Sequence, residues 1–249
     1  VKILITGHKG FIGSQLLAHF SLAHEVNGFG WGDAVPDISK YDWVIHEGAV
    51  SSTTDTDIER VMSKNFDFSC WLLNECIKHS TNLQYASSAS VYGTGGSDFK
   101  ESSPAAPSNL YAWSKYMFER YATMCAPAHI IVQGFRYFNV YGDGEGCKGA
   151  QASPYYKFRG QSEVSVFEGS DLVRRDFVPI SLVVDYHAKF LRSKESGIWN
   201  IGTGTTTSFM EIAESFGVPI KTIKMPDDIG KAYQKYTCAN MGKTNRTLA

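Results

Sequence analysis

The first thirteen residues constrain this chain more than any other stretch. Val1 to Thr6 reads VKILIT, a β-branched and aliphatic run of the kind found in a parallel strand covered on both faces. Glycines follow at positions 7, 10 and 13, and from Phe11 to Phe20 the apolar residues take helical spacing. A strand, a glycine turn and a helix in that order present backbone amides at a helix N-terminus, where they can approach a pyrophosphate. Gly7, Gly10, Phe11, Ile12 and Gly13 are therefore candidate dinucleotide-binding positions. Alone, a G-x-x-G-x-x-G string is often just a tight turn; its place after a first strand sets this one apart. Lys9 either adds charge beside the phosphates or is an ordinary exposed loop lysine.

The alternation continues along the chain. The pattern predicts strands at Glu25 to Phe29, Trp43 to His46, Leu83 to Ser87, His129 to Arg136 and Gly197 to Ile201. Between them it predicts helices over about Ile58 to His79, Leu110 to Met124 and Leu182 to Leu191. Such alternation implies an α/β fold, a Rossmann-type doubly wound parallel sheet with a smaller C-terminal substrate lobe. Residues 1–141 form the expected dinucleotide-binding domain, with 178–204 returning to it. Residues 142–249, richer in glycine, charge and aromatics, form the expected lobe. No proline- or serine-rich linker divides the two, so they are expected to pack as one body.

One βα unit is missing from this plan. Only about a dozen residues separate the second strand from Trp43, near the minimum of ~10–12 for a single parallel crossover. That region of a standard fold carries the acidic residue that bonds the adenosine ribose, or the basic groups that read a 2′-phosphate.

Composition excludes other classes. The 24 basic residues nearly cancel the 25 acidic ones, so no overall field draws the protein to nucleic acid or an anionic membrane. No apolar run approaches the ~20 residues that span a bilayer, and the first residues read as a strand where a signal peptide would be basic and then apolar. A cytoplasmic protein is the expectation. Five cysteines, an odd number with no C-x-x-C pair, argue against both a zinc knuckle and a disulfide framework. Reduced thiols and no metal site are expected.

Chemistry enters at Tyr111-Ala112-Trp113-Ser114-Lys115, where a spacing of four puts a phenol and an ammonium on one helix face. A free phenol has a pKa near ~10 and is a poor base at neutral pH. A nearby ammonium favours phenolate, and the expectation is a Tyr111 held more acidic than usual by Lys115. The bland alternative is an amphipathic helix with a tyrosine on its apolar face. Ser87-Ser88-Ala89-Ser90-Val91-Tyr92-Gly93 weakens that alternative, because it lies at the C-terminal end of a predicted central strand, where open α/β sheets hold ligands. A hydroxyl there can polarise a substrate oxygen.

These three signals resemble the extended short-chain dehydrogenase/reductases of the nucleotide-sugar epimerase and dehydratase group. Longer segments are similar to one family in particular: HEGAVSSTT, YASSASVYG, NLYAWSK, GFRYFNVYGDGEGCKGAQAS, VFEGSDLVRRDFV and GIWNIGTG resemble the ADP-L-glycero-D-manno-heptose 6-epimerases, from Val1 to about Thr247. The resemblance implies catalytic Ser88, Tyr111 and Lys115, with Lys148 of the EGCKG loop as a second acid/base group. It implies that Glu47, Gly48, Ala49, Val50, Ser51, Asn65 and Val140 join Tyr111, Lys115 and the glycine turn around NADP or NAD. It implies that Asn139, Phe167, Glu168, Gly169, Ser170, Arg175 and Tyr233, with Ser88, hold a nucleotide-sugar substrate. It further implies a homo-oligomer and a place in lipopolysaccharide carbohydrate metabolism.

The expected reaction is epimerisation by transient oxidation to a keto sugar and re-reduction from the other face. Proton donors on both sides of the carbon then have a physical use. Another sugar-nucleotide epimerase or dehydratase, or an NADPH-dependent keto-sugar reductase, is the alternative within the group; a non-catalytic dinucleotide-binding protein is the alternative outside it. The sequence departs from the family at Ala150, usually serine, at Lys157, usually histidine, and in the shortened Gly30 to Asp42 stretch. The usual C-terminal helix is expected to be lacking.

Overall fold

The computed structural model describes residues 1–96, 99–225 and 234–249. Its centre is a six-stranded sheet of β1 (Lys2–Thr6), β2 (Glu25–Phe29), β3 (Trp43–His46), β4 (Asn82–Ser88), β5 (Val132–Tyr137) and β10 (Gly197–Ile201). The spatial order is β10-β5-β4-β3-β1-β2, and every neighbouring pair is parallel. β5 begins at Val132, later than the apolar run from His129 suggests, because a turn bonded from the Ile130 amide to the Pro127 carbonyl uses the first of these residues.

Two helical layers cover the sheet. Successive strand residues point to opposite faces: Ile3 and Ile5 meet Leu16 and Phe20 of α1 (Phe11–Phe20) and Val184 of α6 (Ile180–Phe190), whereas Leu4 and Val44 meet Leu72 and Leu73 of α3 (Phe68–His79). Phe118 of α4 (Leu110–Cys125) completes that second face against Tyr85. The predicted helix over Ile58 to His79 is realised as α2 (Ile58–Met62), a π turn at Ser63–Asp67 and then α3. Extra-wide turns of this kind occur mostly as single insertions in helices.

The missing βα unit is missing in space as well. β2 is the edge of the sheet, and after Phe29 the chain makes only one short 3₁₀ turn, Ile38–Lys40, before entering β3 on the far side of β1. Strand order therefore reverses between β1 and β3, and a crevice opens at their carboxyl ends.

Beyond the sheet, β6 (Asn139–Tyr141) pairs with β9 (Phe177–Pro179), and β7 (Val164–Phe167) pairs with β12 (Ile220–Ile223). β8 (Arg174–Arg175) lies between β11 (Thr207–Ser208) and β13 (Tyr236–Thr237). Two short helices, α5 (Pro154–Phe158) and α7 (Phe209–Ser215), pack over these strands. Asp176 ties the pieces together, accepting hydrogen bonds from the Thr203 and Gly204 amides, the Thr203 hydroxyl and the Ala239 amide. Where the sequence suggested no usual C-terminal helix, a seven-residue α8 (Gly242–Leu248) lies against β10, with Lys243 Nζ donating to the Ile198 carbonyl at 2.7 Å. Among the described residues no helix is long and apolar enough to cross a membrane. All five cysteines are free, and burial pushes the Cys70 and Cys76 thiols up to about 12.

One buried ion pair underlies the site end of the sheet. Arg136 of β5 grips Glu119 of α4 through Nε at 2.9 Å and Nη2 at 2.6 Å, and the Ser87 hydroxyl donates to the same carboxylate. Removing one partner of such a pair strands the other charge in low dielectric, which costs about 3–5 kcal/mol. Glu119→Gln should therefore destabilise the protein by about that much, read as a lower urea unfolding midpoint with little change in the denaturant slope.

Candidate active site

The glycine turn is shaped by contact with its neighbour strand. Gly7 has φ +70°, and a Cβ there would lie 2.6 Å from the Gly48 amide nitrogen; a Cβ on Gly13 would lie 2.3 Å from the Gly7 carbonyl oxygen. Both positions exclude any larger residue. α1 then starts with Gly10 as its N-cap and no side-chain cap, so the Phe11, Ile12 and Gly13 amides of its first turn have no acceptor within the helix. The cradle fits a pyrophosphate.

Across the crevice the loop after β3 is held by a chain of hydrogen bonds. The Ser69 hydroxyl donates to the Asn65 carbonyl, so it accepts from His46 Nε2 at 2.8 Å, and His46 Nδ1 then accepts from Thr6 Oγ1 at 2.6 Å. Burial holds His46 neutral, down to about 3. Thr6 in turn accepts the Gly48 amide, pinning Gly48 against Gly7. Asn65, predicted to line the dinucleotide, is 1% exposed; its amide bonds both the Val50 amide and carbonyl and reaches Ser114 Oγ. It shapes the loop through Val50, and the π turn in which it sits aims it there.

Sequence patterns overlooked Asp33. It lies just beyond β2, its Oδ2 accepting the Gly30 amide at 2.8 Å and its Oδ1 4.0 Å from Lys9 Nζ. The shortened crossover thus still carries a carboxylate beside the glycine turn. A signal existed, since an acidic residue after the second strand is the usual ribose partner; the absence of a following helix hid it.

Ser88, Tyr111 and Lys115 converge at the carboxyl end of β4. Asn109 caps α4 by accepting the Ala112 amide, which fixes where the helix starts and so where Tyr111 points. Lys115 Nζ lies 5.9 Å from the centroid of the Tyr111 ring and donates to the Ala86 carbonyl at 3.0 Å. Spacing therefore foretold the shared face correctly. The expected acidity of Tyr111 is not what the structure shows: burial pushes it up to about 12, opposed by a hydrogen bond with Ser88 and reinforced by Glu47. The ammonium is aimed at a carbonyl and the phenol is desolvated, so burial dominates. Burial likewise lowers Lys115 to about 8, against the raising effects of Glu47 and Glu119.

A cavity of about 710 Å³ joins this group to the lobe. Ile12, Ser51, Ser88, Tyr111, Asn139, Val140 and Lys148 line it together with Phe167, Ser170 and Arg175. Lys148 stands on the 3₁₀ turn Glu145–Gln151, where its Nζ donates to the Val140 carbonyl at 2.8 Å and to Glu145 Oε1 at 2.7 Å. Glu145 is fully buried and also accepts the Ser153 amide and hydroxyl, so the lysine's direction is set from below. Glu168 and Gly169 sit on an exposed turn outside the lining, although they close the turn that presents Phe167 and Ser170. Gly7, Gly10, Phe11, Gly13, Glu47, Gly48, Ala49, Val50, Asn65 and Lys115 do not line the cavity itself. Tyr233 lies outside the described residues. Gln151 and Lys157 line the cavity without having been selected as sugar ligands. A second cavity, of about 790 Å³, lies on the β10 flank near Arg120 and Arg246 and contains none of the three convergent groups.

Solved structures share this fold. An ADP-L-glycero-D-manno-heptose-6-epimerase from Helicobacter pylori is 28% identical, with a TM-score of 0.87 over 99% of this chain and 89% of that one. The UDP-glucose 4-epimerase of Thermus thermophilus, solved with NAD, is 23% identical with a TM-score of 0.83, covering 100% of this chain and 94% of that one. A UDP-N-acetylglucosamine 4-epimerase from Methanobrevibacter ruminantium shares the fold at 20% identity and a TM-score of 0.88, over 100% and 91% of the two chains. The NAD dependent epimerase/dehydratase family profile matches residues 3–202, most of the chain, and the protein belongs to that family.

Proposed function

We propose that this protein is an epimerase acting on ADP-glycero-manno-heptose or a close sugar-nucleotide analogue, by oxidation at one carbon and return of hydride to the opposite face. The observation that carries this reading is the placement of Lys148 in the same cavity as Ser88 and Tyr111. Inversion by oxidation and reduction turns the carbon's oxygen from one side to the other, and proton donors on two sides serve it where a simple reductase needs one. The likeness to the Helicobacter pylori heptose epimerase supports the sugar. In this reading residues 1–141 and 178–204 hold the dinucleotide and the remainder of 142–249 holds the sugar nucleotide.

Bound at the glycine turn, the dinucleotide supplies a hydride acceptor in its oxidised form and a hydride donor in its reduced form. Everything else falls to the chain. The Phe11, Ile12 and Gly13 amides hold the pyrophosphate, Lys115 bonds the nicotinamide ribose, and Ser88 orients the sugar oxygen for Tyr111. Arg175, 6% exposed at the cavity wall, suits the substrate pyrophosphate because its planar fork binds two oxygens. Val50 and Ser51 line the nicotinamide side, with Asn65 acting through Val50.

The cofactor is NAD in preference to NADP. Asp33 accepts ribose hydroxyls and repels a 2′-phosphate, for which Lys9 is the nearest counter-charge. Asp33→Asn should shift the NAD-to-NADP affinity ratio about tenfold toward NADP, the worth of about one charge-assisted hydrogen bond. Titration of each dinucleotide by tryptophan fluorescence checks it, and an unchanged ratio removes Asp33 from the site.

Tyr111→Phe should lower turnover of ADP-glycero-manno-heptose by about 10²- to 10⁴-fold, the usual worth of a general acid/base, while leaving dinucleotide affinity within about threefold. Lys148→Ala should lose a comparable factor, read as slowed interconversion of the two epimers by NMR. Epimer interconversion that survives both substitutions at the wild-type rate is incompatible with the proposed reaction. Lys115 is depressed to about 8 and is charged below that value, so activity should fall as pH rises through it, as the ammonium is lost. A pH profile of kcat/KM, repeated for Lys115→Arg, checks the assignment: arginine stays charged and should remove that limb.

A further inference from the structure

Behind the catalytic group lies a buried run of polar side chains whose protons can be counted. It starts at Gln133, whose Nε2 donates to the Phe190 carbonyl at 3.1 Å and the Glu195 carbonyl at 3.1 Å. That orientation leaves Gln133 Oε1 to accept from Gln84 Nε2 at 3.0 Å, and Gln84 Nε2 also reaches the His187 carbonyl. Gln84 Oε1 is then an acceptor only, so its 2.7 Å partner, His187 Nδ1, must carry a proton. The tautomer of His187 follows. Neutral His187 offers a lone pair at Nε2, 2.5 Å from the Tyr137 hydroxyl, and that hydroxyl lies 2.8 Å from Glu47 Oε1.

Tyr137 has one proton and two acceptors in reach. If His187 is neutral and Glu47 ionised, one of these fully enclosed contacts has no proton, and an unmade bond at such depth is a penalty the fold has no way to relieve. One added proton satisfies the run. It sits on His187, creating a buried imidazolium beside a buried carboxylate, or on Glu47, leaving the run uncharged. The second placement avoids separating charge in low dielectric. The groups facing Glu47 agree: Tyr137 from β5 and His187 from α6 are uncharged, His46 on its own strand is neutral, and Tyr111 is a phenol. Only Lys115 of α4 is cationic, and no ion pair closer than 4.0 Å joins it to Glu47 among the described residues.

We infer that Glu47 is a positioning residue kept as a neutral carboxylic acid by the Tyr137–His187–Gln84–Gln133 run, so that no negative charge opposes ionisation of Tyr111. Burial acts in the same direction, raising Glu47 to about 7, and Glu47 is one of the groups that raise Tyr111 when charged. The role given to Tyr111 rests on the epimerase reading above, but the proton on Glu47 does not.

Infrared difference spectra of the resting protein, wild type minus Glu47→Gln, test the proton directly, without substrate or turnover. At neutral and mildly acidic pH the wild type should contribute a protonated-carboxyl carbonyl band, shifted down in D2O and absent from the glutamine variant. An ionised-carboxylate band in its place would overturn the inference even in a fully active epimerase. Turnover gives the second readout. In Glu47→Gln the introduced amide donates to Tyr137 as the acid does and carries no charge, so the acid limb of the kcat pH profile should stay where it is in the wild type. A shift of that limb to lower pH, as expected on removing a negative charge from beside Tyr111, would also overturn it. A further substitution, His187→Phe, frees the Tyr137 proton for Glu47 and should erase the infrared band while moving the acid limb upward.

Discussion

The contact between two backbones, Gly7 on one side and Gly48 on the other, governs the rest of this structure. A hypothetical Cβ on Gly7 falls 2.6 Å from the Gly48 nitrogen, well inside any real contact, so the turn after β1 and the turn after β3 meet only because neither has a side chain there. β1 and β3 are adjacent where the strand order reverses, and their close approach determines the width of the crevice. Thr6 and His46 lock that approach with hydrogen bonds to Gly48 and Ser69. From there parallel pairing carries the register through β4, so Ser88 sits opposite Tyr137 and beside the start of α4. A small steric fact at the first turn is thus transmitted across the sheet to Ser88, Tyr111 and Lys115.

What could be read in advance was what depends on local periodicity. The spacing of Tyr111 and Lys115 is a property of one helix, and the strand ends at Thr6 and His46, with that of β4 expected at Ser87 and found one residue later at Ser88, follow from short apolar runs bounded by turn residues. The missing unit was legible too, because a crossover of about a dozen residues has no room for a strand and a helix. Asp33 was not, since its place beside the glycine turn depends on how a loop without regular structure folds back to the Gly30 amide. The same holds for Glu47 and His187, remote from each other in the chain and 3.6 Å apart in space. Pairings of that kind come from the packing of α6 on the sheet, which a one-dimensional pattern does not specify.

The acidity of Tyr111 shows where spacing and energetics part company. Two groups one helical turn apart were expected to interact as phenolate and ammonium, yet Lys115 directs a hydrogen bond to the Ala86 carbonyl, and the phenol is desolvated beneath the cavity. Burial penalises the phenolate, and it also penalises the ammonium, which drops to about 8. At neutral pH burial therefore leaves Tyr111 a phenol and Lys115 an ammonium whose range has moved down toward neutrality. Positive charge added, or negative charge withdrawn, near the phenol opposes the upward shift that burial imposes on Tyr111.

Such a design bears on why charge is arranged as it is beneath the site. Two carboxylates lie near Lys115, and they are handled differently. Glu119 is gripped twice by Arg136, in a pair that also holds β5 to α4. Glu47 has no such partner; it has a tyrosine and a histidine that cannot both be satisfied unless a proton is added. A bare carboxylate at Glu47 would stabilise Lys115 as a cation and raise Tyr111 further, setting one requirement of proton transfer against the other. With the proton in place that conflict is avoided, and the charge of Lys115, 5.9 Å from the Tyr111 ring, is not offset by one on Glu47.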